Sequence, residues 1–336
     1  MVLRAPWELG PEEVMRPGVD ARDVMVRVTH SGICGTDFKI YSGAIPVSYP
    51  RIMGHEMVGE VAAAGDGGTP RAGDRAIVDP ELYCGTCFHC RIGQTHLCPS
   101  GVLLGRDANG GFAEYVTAPA SHVFALPDAI DSRTAPLIQV LTTCVHAQRQ
   151  IKIVPGESVV VYGLGVTGQL HVQLAKARGA SPVIGVTRSA QKRALAEKLG
   201  ADLTMASGEG ALQNVRDATE GRGADVIIET TGVLRSVAAA IDMARSGGRL
   251  LLFGIITARE GALPFYDLYF KELALISARV ATSEDYPESI ALVERGVVQL
   301  EPLISDVMPL GSLKDAIGML GGDGARRMKI ILDHGV

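Results

Sequence analysis

The chain has 336 residues, enough for two domains of ordinary size, and its 47% hydrophobic and 21% charged composition calls for a packed globular fold. A net charge of −5 leaves no basic face for a nucleic acid. The longest apolar runs, such as Leu250–Phe253, are strand-length and far short of the roughly 20 residues that span a bilayer. No secretory signal is read in the opening Met-Val-Leu-Arg-Ala-Pro-Trp-Glu, so a cytoplasmic setting with reduced thiols is expected.

Residues 1 to about 125 read as β-rich. Val24–Val28, Met57–Val61 and Ala76–Val78 are short apolar segments separated by Gly, Pro and Asp clusters. Within this stretch lie Gly32-Ile-Cys34-Gly-Thr36-Asp37 and Gly54-His55-Glu56, a metal-like constellation of donors. Further on, Cys84, Cys87, Cys90 and Cys98 follow the spacing C-x2-C-x2-C-x7-C, which suits a closed four-thiolate structural zinc. Zinc is favoured over two disulfides because the expected compartment is reducing. With four thiols available, His89 and His96 read as surface residues.

From about Pro155 strands alternate with helices. Ser158–Tyr162 is a buried-type strand, and Val166, Leu170 and Leu174 recur at helical spacing before Gly179 stops the helix. Pro182–Val186 is the next strand. Ser189 suits an N-cap for a helix through Leu199, with Gly200 at its C′ position. Strands near Leu203, at Asp225–Glu229, at Arg249–Phe253 and near Leu273–Ile276 bring the count to six. That pattern is an α/β doubly wound parallel sheet. The stretch from about 280 to 336 reads as a return to the β-rich domain, so the expected domains are 1–139 with 280–336, and 140–279.

The strand at 158–162 runs into Gly163-Leu164-Gly165-Val166-Thr167-Gly168 and then a helix, the context a dinucleotide-binding loop requires. Gly163 permits the turn, Gly165 the approach of a pyrophosphate, and Gly168 close packing of helix on strand. At the end of the second strand a carboxylate would bind a ribose 2′-hydroxyl. Here Thr187, Arg188 and Ser189 stand instead, with Lys192 and Arg193 nearby, and NADP is favoured over NAD.

Taken together, G-I-C-G-T-D, G-H-E, the four-cysteine lobe at about 80–100, Gly110-Gly-Phe-Ala-Glu-Tyr115 and the nucleotide loop closely resemble the zinc-dependent medium-chain alcohol dehydrogenases, in the family's order and over nearly the whole chain. The resemblance implies a GroES-like catalytic domain beside a Rossmann coenzyme domain, two zinc ions per chain, and a homodimer or homotetramer. By position, Cys34 and His55 would hold the catalytic zinc, with Glu56 a third ligand or close neighbour. Asp37 would fix the tautomer of His55. Thr36 would bind the substrate oxygen and start a proton relay, with Lys39 where some relatives carry a relay histidine. In the polyol and threonine branches the remaining ligand is Glu in E-P-L-x-x-x-x-H. The matching stretch here is Gln139-Val-Leu-Thr-Thr-Cys144-Val-His146, and Gln139 is the weaker, neutral counterpart. Cys144 reads as a packed helix residue.

The activity implied is hydride transfer between NAD(P) and a secondary alcohol or ketone, with zinc as Lewis acid. Lys39, Tyr41, Arg106, Asp107 and Arg279 are candidates for the edge of the cleft, where polar groups would favour a polyol, sugar or aminocyclitol. The alternatives are an L-threonine dehydrogenase-like enzyme, and a catalytically silent NADP-binding relative that Gln139 keeps open.

Overall fold

Alternate residues of β1 (Asp23–Gly32) point into one cluster: Val24, Val26 and Val28 pack with Met57, Val61, Val78 and Val116. β1 pairs antiparallel with β2 (Glu56–Ala64), which pairs with β3 (Arg75–Val78). Along its first half β1 also meets β4 (Tyr115–Pro119), and along its last residues the C-terminal strand Lys329–Asp333. β5 (Val123–Ala125) closes the far edge against β3, and the strand Ile304–Pro309 lies parallel to Lys329–Asp333. The computed structural model describes residues 1–65, 69–320 and 327–335. The chain divides into two compact units, Met1–Thr142 with Val280–Gly296 and Leu300–Val336, and Thr143–Arg279 with Val297–Gln299.

The second unit is a six-stranded, all-parallel sheet. Its strands are β6 (Val159–Tyr162), β7 (Val183–Val186), β8 (Leu203–Met205), β9 (Ala224–Glu229), β10 (Ala244–Leu252) and β11 (Ala274–Ser277), in spatial order β8-β7-β6-β9-β10-β11. Parallel strands need crossovers, which cover both faces and demand apolar residues on both. Accordingly Val159 and Val161 enter one core cluster with Val183, Val226 and Leu251, while Val160 enters the other with Ile184, Ile227 and Leu250. The expected six strands and doubly wound order are those observed. The helix expected after the glycine loop runs Val166–Ala177 and stops before Gly179 at φ +83, and Ser189 caps the next, Ala190–Lys198.

In the first unit the segment Val280–Gly296 is tied to the end of β3 through Asp79. Its carboxylate accepts Ser283 Oγ at 2.6 Å and the Glu81 amide at 3.0 Å, while Tyr286 stacks on Phe124 at 4.9 Å. Burial outweighs these hydrogen bonds and pushes the Asp79 carboxyl up to about 7. The folded chain therefore holds a proton that the unfolded chain gives up from about pH 4, and the stability this group contributes falls between pH 4 and about 7. Asp79→Asn cannot ionise, and its amide can accept from the Glu81 N–H and donate to Ser283 Oγ. Its melting temperature relative to the natural protein should rise from pH 4 to about pH 7 and then level off in scanning calorimetry; a difference independent of pH would refute the assignment.

Candidate functional site

Where β1 ends, the chain turns through Ile33 and Cys34 into helix α1 (Gly35–Tyr41), with Cys34 at the N-cap in extended conformation. Asp37 lies three residues on, is fully buried, and accepts the Cys34 backbone N–H at 2.8 Å. That bond fixes the entry of the helix and aims the other carboxylate oxygen at His55, Oδ1 lying 3.5 Å from Nδ1. A proton on Nδ1 is thereby favoured, which leaves the lone pair of Nε2 to face Cys34 or a metal. His55 is positioned by Gly54, whose φ of +94 suits glycine and whose Cβ would lie 2.6 Å from the Phe112 ring.

Glu56 opens β2 directly across from Gly32, and a Cβ on Gly32 would lie 2.0 Å from its Oε2. Only glycine leaves room for this carboxylate. Both of its oxygens are 2.7 Å from Lys329 Nζ, which also donates to the Ile33 carbonyl at 3.1 Å. Lys329 is 5% exposed and Glu56 fully buried.

Ligand atoms of Cys34, His55 and Glu56 all lie within 4.8 Å of one another. Burial works against the Cys34 thiolate, but the hydrogen bond and charge of His55 hold the thiol below its ordinary value. Burial likewise works against a charged His55, yet Asp37 and Cys34 carry it well above its ordinary value. With the thiolate formed, half-buried Cys34 and buried Asp37 and Glu56 present three anions to one ammonium, and a proton on His55 offsets part of the excess. A divalent cation that takes the place of that proton meets an excess of two negative charges, and the thiolate, imidazole and carboxylate donors suit zinc.

Of the other residues expected here, Thr36 sits half-buried in the first turn of α1, and Lys39 in its last turn. Gln139 is 9% exposed in helix α2 (Leu137–Ile151), and its side-chain amide makes no hydrogen bond among the described residues. Cys144 lies in the same helix and is fully buried, with its thiol 3.9 Å from the Thr167 carbonyl. Tyr41 corrects an expectation: it is a core residue whose hydroxyl donates to the Trp7 carbonyl, so it is not free for substrate. Arg106 is held by Asp107 at 2.6 Å and lines a cavity of about 470 Å³ with Arg51 and Ser48. Arg279 is exposed.

In the lobe, Sγ–Sγ distances are 3.5 Å (Cys87–Cys90), 3.6 Å (Cys84–Cys98), 3.9 Å (Cys87–Cys98) and 4.0 Å (Cys84–Cys90). A tetrahedral ion with sulfur ligands at about 2.3 Å requires edges of about 3.8 Å. The backbone amides of Thr86 and Cys87 pull the Cys84 thiol down to about 6, toward the thiolate a metal needs.

In the second unit the three loop glycines have separate reasons. Gly163 has φ +99 and a Cβ there would lie 2.5 Å from Thr230 Oγ1; a Cβ on Gly168 would lie 1.9 Å from the Gly163 carbonyl oxygen. Gly165 has nothing within 4 Å of where its Cβ would be, and it caps helix α3 (Val166–Ala177). Val166 and Thr167 form the first turn of α3, where amides lack intrahelical partners and suit a phosphate, while Leu164 is buried core. Thr187 and Arg188 line a cavity of about 630 Å³ with Gly163. Ser189 and Arg193 have other employment: Ser189 Oγ accepts the Lys192 amide as cap of α4 (Ala190–Lys198), and the Arg193 guanidinium donates to the carbonyls of Thr187 and Arg188 at 3.0 Å each. They shape the loop that presents Arg188. Sequence reasoning missed Lys329 and Glu229. The buried Glu229 carboxylate accepts the amides of Thr231 and Gly232 and so builds the turn after β9. A lysine opening an apolar strand and a glutamate closing one were the available signals.

Two family models match the chain: an alcohol dehydrogenase GroES-like domain over residues 20–128 and a zinc-binding dehydrogenase over 166–295. An L-threonine 3-dehydrogenase of Pyrococcus abyssi is 34% identical over 89% of this chain and 87% of its own. A sorbitol dehydrogenase of Bacillus subtilis is 30% identical over 94% and 91%. A solved zinc-binding dehydrogenase of Sinorhizobium meliloti bound to NADP matches with a TM-score of 0.93 at 30% identity, covering 99% of this chain and 98% of that one. An alcohol dehydrogenase of Escherichia coli complexed with NADH matches at 0.91 and 30%, with the same coverage.

Removing the ammonium from the buried pair leaves Glu56 without its cation. Lys329→Met should therefore lower stability by roughly 3–5 kcal/mol in urea unfolding, and adding Glu56→Gln should restore part of it. A loss within about 1 kcal/mol, the scale of an exposed pair, would show that the pair is not desolvated.

Proposed function

The chain belongs to the zinc-dependent medium-chain alcohol dehydrogenases, and on that premise we propose that it transfers hydride between a nicotinamide dinucleotide and a secondary alcohol or its ketone, the substrate being a polyol, sugar or aminocyclitol. The observation that carries this is the convergence of half-buried Cys34 with buried His55 and Glu56, whose donor atoms lie within 4.8 Å of one another. In this reading Cys34 and His55 hold the catalytic zinc. Glu56, anchored by Lys329, supplies negative charge close by, and Gln139 is the weak candidate for the remaining ligand. Cys84, Cys87, Cys90 and Cys98 hold a second, structural zinc. When bound, the catalytic ion supplies Lewis acidity that lowers the pKa of an alcohol.

The chain's own residues then have these tasks. Asp37 keeps the proton of His55 on Nδ1. The Thr36 hydroxyl, two residues beyond Cys34, accepts a hydrogen bond from the substrate's hydroxyl and passes its own proton outward to solvent as it takes the substrate's, and Lys39 stands one turn further along α1. Gly165 and the first turn of α3 hold the pyrophosphate, which orients the nicotinamide. Arg188, together with the lack of a carboxylate at the end of β7, supports NADP over NAD. The relatives' sorbitol and threonine activities support an alcohol with several polar groups. Free thiols at every cysteine support a reducing, cytoplasmic setting, and no helix among the described residues is long and apolar enough to cross a membrane. A homo-oligomer is supported by β11, which among the described residues pairs only with β10, and by helix α7 (Phe265–Phe270), whose Phe265, Tyr266, Tyr269 and Phe270 are 62–79% exposed.

A panel of polyols and simple alcohols offered with NADP and NAD should give cofactor reduction best with a polyol and NADP; none with any polyol would sink the substrate assignment. Elemental analysis should find two zinc per chain, with Cys34→Ser retaining one and losing activity. A single zinc that survives Cys34→Ser would instead point to a catalytically silent nucleotide-binding relative.

A further inference from the structure

The cavity of about 630 Å³ beside the glycine loop straddles the end of β6, whose neighbours are β7 on one side and β9 on the other. Arg188 enters it from the segment after β7. From the other side comes Arg235, in the first turn of helix α6 (Leu234–Met243), which follows β9. Both side chains are exposed, and neither guanidinium makes an ion pair or hydrogen bond with any described residue. Three other arginines of this unit are spent on partners: Arg193 on two carbonyls, Arg245 on Asp225, and Arg249 on Glu157. The cavity does contain one carboxylate, Asp242. It lies seven residues after Arg235 on the same helix, about 10 Å further along its axis, and interacts with Lys271.

Two unpartnered guanidiniums facing one cavity repel each other until an anion is shared between them. A phosphate monoester offers three acceptor oxygens and a charge near −2, and it can accept from two forks at once. The turn after β7 contributes Thr187 as a hydroxyl donor and no carboxylate to oppose such a ligand.

We propose that Arg235 is a second specificity residue for the coenzyme, closing with Arg188 a two-sided clamp on the 2′-phosphate of an adenine dinucleotide. The proposal rests on the reading of Gly163–Gly168 as the pyrophosphate loop and extends recognition of the 2′ position from one strand end to two elements. The contribution of α6 is a charge that a dinucleotide without the 2′-phosphate does not use.

The test is calorimetric titration of the full-length, zinc-loaded protein with 2′,5′-ADP and, separately, 5′-AMP. Arg235→Ala should weaken 2′,5′-ADP about tenfold or more, the worth of a charge-assisted hydrogen bond, and leave 5′-AMP within about twofold. Arg235→Lys should recover part of the loss, because the charge remains while the fork is lost. The dependence of 2′,5′-ADP affinity on salt should be shallower in Arg235→Ala than in the natural protein. Equal weakening of both nucleotides would overturn the proposal and make Arg235 a platform for the adenine ring. Unchanged binding of 2′,5′-ADP would overturn it as well. If neither nucleotide binds the natural protein, the dinucleotide reading fails and the clamp with it, an outcome separate from loss of 2′-phosphate discrimination alone.

Discussion

The carboxylate of Glu56 is fully buried, out of reach of bulk solvent, and the end of β1 is arranged around that fact. An isolated charge at that depth is expensive, so it must be met by a cation or a metal. Lys329 meets it at 2.7 Å, and the register of the C-terminal strand, with Ile331 opposite Gly32, delivers that ammonium to the end of β1. Gly32 vacates the space that the carboxylate occupies. Asp37 and Cys34 add two further anionic groups at the same strand end, so in the proposed reading a divalent ion would meet the charge that Lys329 leaves over.

Backbone carries the equivalent burden elsewhere. In the lobe, amides donate to thiol sulfurs, Cys87 N to Cys84 Sγ at 3.4 Å and Cys90 N to Cys87 Sγ at 3.5 Å, so local turns hold the sulfurs together. At the nucleotide loop, Gly163 and Gly168 let the chain approach itself, while Gly165 leaves open space before the amides of α3. Neutral amides suit these places because a phosphate or a thiolate brings its own charge.

Short-range features were legible from residue order. The four-cysteine spacing, the three glycines, the six apolar strands and the Ser189 cap each depend on a few neighbouring residues and on strand or helix period, and the structure realises each of them. The Cys34 to Asp37 turn and the Gly54-His55-Glu56 turn were legible singly, and the resemblance joined them. Less legible was how side chains are spent. Ser189 and Arg193 sit in the right segment for a ribose, yet one caps a helix and the other supports the loop. Tyr41 follows the proposed relay residues in sequence, yet its period in α1 turns it toward Trp7 and the core.

By itself, then, the sequence determined the two-part architecture, the four-cysteine spacing and the glycine loop, because each is written in local spacing and in the alternation of apolar residues. Tertiary structure alone decided that Lys329, 273 residues from Glu56, is its counter-charge, and that Arg235 shares a cavity with Arg188. The physical reason is the same for both. Strand register and sheet order set which distant side chains meet, and the cost of a buried or unpaired charge becomes visible only when its surroundings are assembled.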